Sequence, residues 1–185
     1  GWLTGGTENH IAMRRTAGLL FGESWPDATF HHGLTGRELA EQCLVYMRAY
    51  GQTLFRNSMV EYLSPIYHAV NTAPWLNIYE FAKDERARLY AKAILDRILA
   101  DLAVNSHHGI IIPPVARAKG LMTDSYQLST VRSNTQWTAW LYWGAGNMEA
   151  SREAIRATDT WHKSPLALHA VSDYIPDPVI RNLGA

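Results

Sequence analysis

Asp84-Glu85-Arg86-Ala87-Arg88-Leu89-Tyr90-Ala91-Lys92-Ala93-Ile94-Leu95-Asp96-Arg97-Ile98-Leu99-Ala100-Asp101-Leu102 decides the fold class of this 185-residue chain. Ala87, Ala91, Leu95, Ile98 and Leu102 recur at the spacing of one helical face, while Glu85, Arg86, Lys92, Asp96 and Arg97 fall toward solvent. Asp84 stands where an N-cap belongs, its carboxylate able to accept from a free first-turn N–H. The stretch is an amphipathic helix that needs a partner for its apolar face.

Upstream the same signals repeat. Thr35-Gly36-Arg37-Glu38 has the spacing of a capping box, in which hydroxyl and carboxylate satisfy each other's free backbone donors. Behind it Leu39, Cys43, Tyr46, Met47, Tyr50 and Leu54 form one stripe, so a helix is predicted over 36–55. Thr7 caps an earlier helix over 8–22, with Glu8 in its first turn, where a carboxylate suits the positive end of the helix dipole. Ser64-Pro65 starts a third helix, which Pro74 is expected to interrupt, its rewound half running through Trp75, Ile78 and Tyr79. Ile110-Ile111-Ile112-Pro113-Pro114-Val115 is β-branched but broken by proline, and reads as an extended crossing segment. Asn134 precedes an aromatic-rich fifth helix, a sixth fits 148–159, and Pro165 to Val171 starts a seventh. Asp173-Tyr174-Ile175-Pro176-Asp177-Pro178 looks like the exit from the helical region.

Helix pairs joined by loops, with little sign of a sheet, give an all-α fold of antiparallel helical hairpins. If successive helices alternate between an inner and an outer ring, the first, third and fifth run parallel and their N-termini share one rim. Gly5-Gly6-Thr7-Glu8-Asn9-His10 and Glu61-Tyr62-Leu63-Ser64-Pro65-Ile66-Tyr67 then face one cleft.

Composition narrows the partners. Lys+Arg and Asp+Glu balance at 17 each, so no global field draws the chain to nucleic acid, an anionic membrane or a highly sulfated polymer. No run approaches the roughly 20 apolar residues of a membrane span. Cys43 is the sole cysteine, so an internal disulfide is excluded and the redox compartment stays open. The start at Gly1, close to the first motif, suggests a processed product or an excised piece.

The chemistry at the rim suits proton abstraction beside a carboxylate, followed by loss of a leaving group. Asn9 can mask the carboxylate charge as a neutral donor, and two helix N-termini add to that stabilisation. The His10 imidazole can take or shuttle a proton, while Tyr67 can act as base or as acid to the departing oxygen. Arg117 is a candidate for the substrate carboxylate or a neighbouring sugar, and Glu8 and Glu61 are further candidates for substrate binding at the same rim. Glu61 reads as a solvated carboxylate or as one that orients Asn9 or His10. Trp25 and Trp75, in loop and helix-break settings, are candidate sugar platforms, whereas most of Trp137, Trp140, Tyr142 and Trp143 falls at core spacing. His31-His32 and His107-His108 invite a metal, but adjacent histidines in a loop or strand point apart and no Cys or H-E-x-x-H pattern accompanies them, so none is expected.

Asn9-His10 at one inner helix start, with Tyr67 about one hairpin later, resembles the catalytic set of the α/α-toroid polysaccharide lyases of alginate-lyase and heparinase II/III type. The resemblance spans roughly residues 5–120. It implies that 1–172 form part of an (α/α) toroid and that 173–185 lead toward a further region. It also implies β-elimination on a uronic-acid polysaccharide without a redox cofactor, in a secreted or periplasmic enzyme needing the rest of its polypeptide. Asn9 would be the neutraliser, His10 the paired base and Tyr67 the base or acid. Two other readings remain. A hydrolase on the same toroid would use Glu8 and Glu61 as its two carboxylates, and a non-catalytic helical module would hold a carbohydrate or protein on its concave face. The absence of a fixed repeat period counts against the last.

Overall fold

The computed structural model describes residues 5–30, 33–107, 110–111, 134–144, 152–153, 156 and 160–185. The fold is all-α. Its helices are α1 (Glu8–Ser24), α2 (Gly36–Asn57), α3 (Tyr67–Phe81), α4 (Glu85–Val104), α5 (Asn134–Trp143), α6 (Thr160–Val171) and α7 (Pro178–Gly184). A two-residue hairpin, β1 (Ser106–His107) with β2 (Ile110–Ile111), follows α4 where the sequence implies an extended segment. The expected helix over 148–159 lies for the most part outside the described residues, as do His31, His32, His108 and Arg117.

Of the predicted caps, those of α2 and α4 form, while the Thr7 side chain makes no cap bond to α1. Thr35 and Glu38 close a full capping box on α2, and the Asp84 side chain accepts the Arg86 amide at 2.8 Å. The α4 stripe is wholly buried, Ala87, Ala91, Leu95, Ile98 and Leu102 each at 0% exposure. Burying such a row stabilises the helix by tertiary packing, which an isolated peptide of this length lacks.

Helix α3 differs from its predicted form. It begins at Tyr67 rather than Ser64, with the Ser64 hydroxyl accepting the Tyr67 amide at 3.2 Å, and it passes through Pro74 without a break. Proline removes one i→i−4 bond, a cost that tertiary burial offsets: Ala69, Trp75, Leu76 and Ile78 are all at most 2% exposed.

Contacts between the first four helices show their relative directions. Helix α2 runs antiparallel to α1, since Tyr50 near its end meets Glu8 and Gly36 at its start meets Gly22. Likewise α4 runs antiparallel to α3, with Arg88 over the Tyr79 ring and His68 bonded to the Ile98 carbonyl. The hairpins stack in register. Glu8 at the start of α1 reaches the Glu61 amide ahead of α3, and Glu23 near the end of α1 accepts the Lys83 and Asp84 amides after α3, at 2.8 and 2.9 Å. On the other layer Arg86 pairs with Glu41 at one end, and Asp101 bonds Ser58 at the other. So α1 is parallel to α3, and α2 to α4. Helix α5 starts beside α3, Thr135 donating to the Ser64 and Pro65 carbonyls, and α6 runs with α3, His169 beside Thr72 and Ser172 on Glu80.

Residues 173–185, which read as an exit, hold α7 and pack on this body. Tyr174 is 1% exposed and donates to Asp96 at 2.8 Å, and Gly184 lies so close on the Trp143 indole that a Cβ there would overlap the ring. Asp177 and Pro178 are the cap and first-turn proline of α7. Those helix-start signals stand in the sequence but were outweighed by the two prolines around them.

Gly22 and Gly36 let α1 and α2 approach closely, and a Cβ on Gly36 would collide with the Trp25 carbonyl oxygen. Because that neighbour is main chain, the helices must separate, and Gly36→Ala is expected to cost ~2 kcal/mol, a fall in Tm of about 6 °C. An unchanged thermal midpoint would show that the pair can open there without loss.

Candidate active site

The turn Gly5-Gly6 enters α1 with Gly6 at φ +105°, a conformation that excludes most side chains. Arg14 clamps this turn, its guanidinium bonded to the Gly5 carbonyl and, at 3.0 Å, to the His10 carbonyl. Thr7 occupies the cap position, but its hydroxyl serves side chains instead of a backbone amide: it donates to Asn9 Oδ1 and sits 2.7 Å from His10 Nδ1. A hydroxyl has one proton. With that proton on Asn9, His10 Nδ1 must be the donor and Nε2 the acceptor. His10 is exposed, while Asn9 is only 4% exposed. One threonine thus prepares an amide donor and an imidazole acceptor next to each other.

Glu8 joins this helix start to the second junction. Its Oε2 accepts the Glu61 amide at 3.2 Å and its Oε1 accepts the Tyr50 hydroxyl at 2.9 Å. Burial raises the Glu8 carboxyl above its usual range, and the Tyr50 hydroxyl and a backbone N–H work the other way. Burial also pushes the Tyr46 phenol up to about 12, with the Glu8 charge adding to it. Glu8, Tyr46, Tyr50, Ser58 and Val60 line a cleft of about 470 Å³ beside the tie.

The Glu61 side chain corrects its expected solvated state. It is 5% exposed and accepts from Asn71 Nδ2 at 3.2 Å, ten residues on and inside α3. Tyr67, the first residue of α3, is half-buried. The aromatic platforms do not fit the rim. Trp75 is 0% exposed and stacked on Tyr50, centroids 5.0 Å apart and planes at 16°, so it has no free face for a sugar. Trp25 is 55% exposed and stacked on Phe21, but it follows the C-terminus of α1, about 25 Å along the helix from Glu8.

The sequence reading missed how many polar groups the inner helices bury at this end. Asn134, Thr135 and Gln136 open α5 at no more than 2% exposure, and Gln136 Oε1 accepts the Ile111 amide at 3.2 Å. Asn71 Oδ1 and Asn134 Nδ2 are buried and unpartnered among the described residues. A run of three polar residues ahead of Trp137 was the available signal. Further along, His169 bridges three helices, with Nε2 2.5 Å from Thr72 Oγ1 and Nδ1 2.6 Å from the Tyr142 hydroxyl. Thr72 spends its proton on the Ala69 carbonyl at 2.6 Å, so His169 Nε2 donates and Nδ1 accepts from Tyr142.

Comparison with protein-family models, with curated proteins and with solved structures finds no match for this chain. Among the described residues no helix is long and apolar enough to cross a membrane.

Proposed function

We propose that the chain belongs to a carbohydrate-active enzyme, a lyase that cleaves uronic-acid polysaccharide by β-elimination, with Asn9, His10 and Tyr67 at the reacting end. The observation that supports this is the bond from Glu8 to the Glu61 amide, which ties the two helix starts into one rim. Asn9 Nδ2 is the donor to the substrate carboxylate. His10 Nε2 takes the proton from the neighbouring carbon. Those electrons form the new carbon–carbon double bond, the bond to the glycosidic oxygen breaks, and that oxygen takes the proton of the Tyr67 hydroxyl. The rival hydrolase reading is weakened because Glu8 and Glu61 both spend their oxygens on bonds within the protein.

The test is incubation with polymannuronate, polyguluronate and a glucuronate polymer, following the ultraviolet absorbance of an unsaturated uronate. Turnover is expected with one of them, and Tyr67→Phe and His10→Ala should each lower it by about 10²-fold or more. Saturated reducing ends as the only product would move the two-carboxylate hydrolysis ahead. No turnover of any of the three would overturn the lyase reading.

A further inference from the structure

On the layer opposite the rim helices, α2 and α4 leave a groove of about 460 Å³. Its floor is apolar: Met47 is fully buried, Ile94 is 1% exposed, and Gly51 adds no side chain between them. Phe55 forms a wall and stays 57% exposed, a large apolar surface to leave in water. Arg48 and Arg56 line the same groove. Elsewhere on the two helices Arg86 pairs with Glu41 and Asp84, Lys92 with Asp96, and Arg97 with Asp101, while Arg88 lies over the Tyr79 ring, away from this groove. Arg48 and Arg56 have no carboxylate partner among the described residues. They stand eight residues apart on one helix, about 12 Å, or a little over two turns.

We propose that this groove docks an acidic amphipathic helix of a partner protein. The partner's apolar stripe lies on Phe55, Tyr90 and Ala93, above the buried Met47 and Ile94, and two of its carboxylates, about two turns apart, pair with Arg48 and Arg56. An open groove between two packed helices takes a third helix through anchors at i, i+3, i+4 and i+7. Spaced guanidinium groups, rigid and bidentate, select carboxylates at matching spacing. A compact anionic amphiphile would engage one arginine and leave the other unpaired.

The probe is a 15-residue helical peptide with a leucine stripe and two glutamates seven positions apart, beside a twin carrying lysines at those two positions. Titration by calorimetry is expected to show saturable binding of the glutamate peptide, with the lysine twin weaker by roughly tenfold or more. In the double variant Arg48→Glu/Arg56→Glu the preference should invert, a gain that an unfolded variant cannot mimic. Equal binding of the twins, no saturable binding of the glutamate peptide, or an uninverted preference in a folded double variant would overturn the proposal. So would decanoate binding that matches the glutamate peptide, since that would make the groove a site for small anionic amphiphiles.

Discussion

Lowering the pH from 7 to 5 is expected to remove about 4 kcal/mol of folding stability, through two histidines that the fold holds neutral. Burial pushes His68 down to about 4 and His169 down to about 3. Both sit in the interior, at 0% and 3% exposure, and His68 Nδ1 has no partner among the described residues. In the unfolded chain each takes a proton near pH 6.5, whereas the native protein refuses it until far lower. The unfolded state therefore binds more protons as pH falls below about 6.5, and stability drops by ~1.4 kcal/mol per pH unit for each histidine. Above that pH the contribution is fully present. Asp101 opposes the effect at His68, and the raised Glu8 carboxyl works in the other direction as it protonates. Urea unfolding at a series of pH values measures the slope. His169→Gln, which keeps one donor and one acceptor, should halve it, and a midpoint unchanged between pH 7 and pH 5 would refute the account.

Trp75→Ala is expected to cost about 4 kcal/mol, from a cavity in a fully packed site plus the loss of the stacked pair. The indole lies on Tyr50, and Tyr50 holds Glu8 at 2.9 Å, so the vacancy also loosens the tie between the two helix starts. Trp75→Phe should cost roughly 1–2 kcal/mol, because it keeps most of the ring area and removes a buried indole N–H that has no partner among the described residues. Denaturant midpoints of the two variants decide the matter. A loss below about 1 kcal/mol for the alanine would mean that neighbouring helices collapse into the space.

What could be read in advance follows from how local each signal is. The α4 stripe, the Thr35–Glu38 box and the Asp84 cap depend on residues within one or two turns, and each formed as spaced. The continuity of α3 through Pro74 depends on burial supplied by other helices, which no local rule sees. Glu61 read as solvated because its partners, Asn71 and the Glu8 carboxylate near its amide, are 10 and 53 positions away. Trp75 suggested a platform from its place after a proline, and the unbroken helix put it in the core. The shared rim of α1 and α3 was expected from alternation of inner and outer helices. The glutamates that fix that register lie in plain sequence, but nothing near them names their distant acceptor sites.

Those two glutamates have a consequence for how this chain can vary. Glu8 and Glu23 bind the second hairpin through the main-chain N–H groups of residues 61, 83 and 84. Every amino acid except proline supplies such a group, so the alignment of one hairpin on the next is indifferent to which side chains stand at those three places. A change of side chain at those places leaves the three main-chain bonds available, provided that the two carboxylates on the first helix are kept.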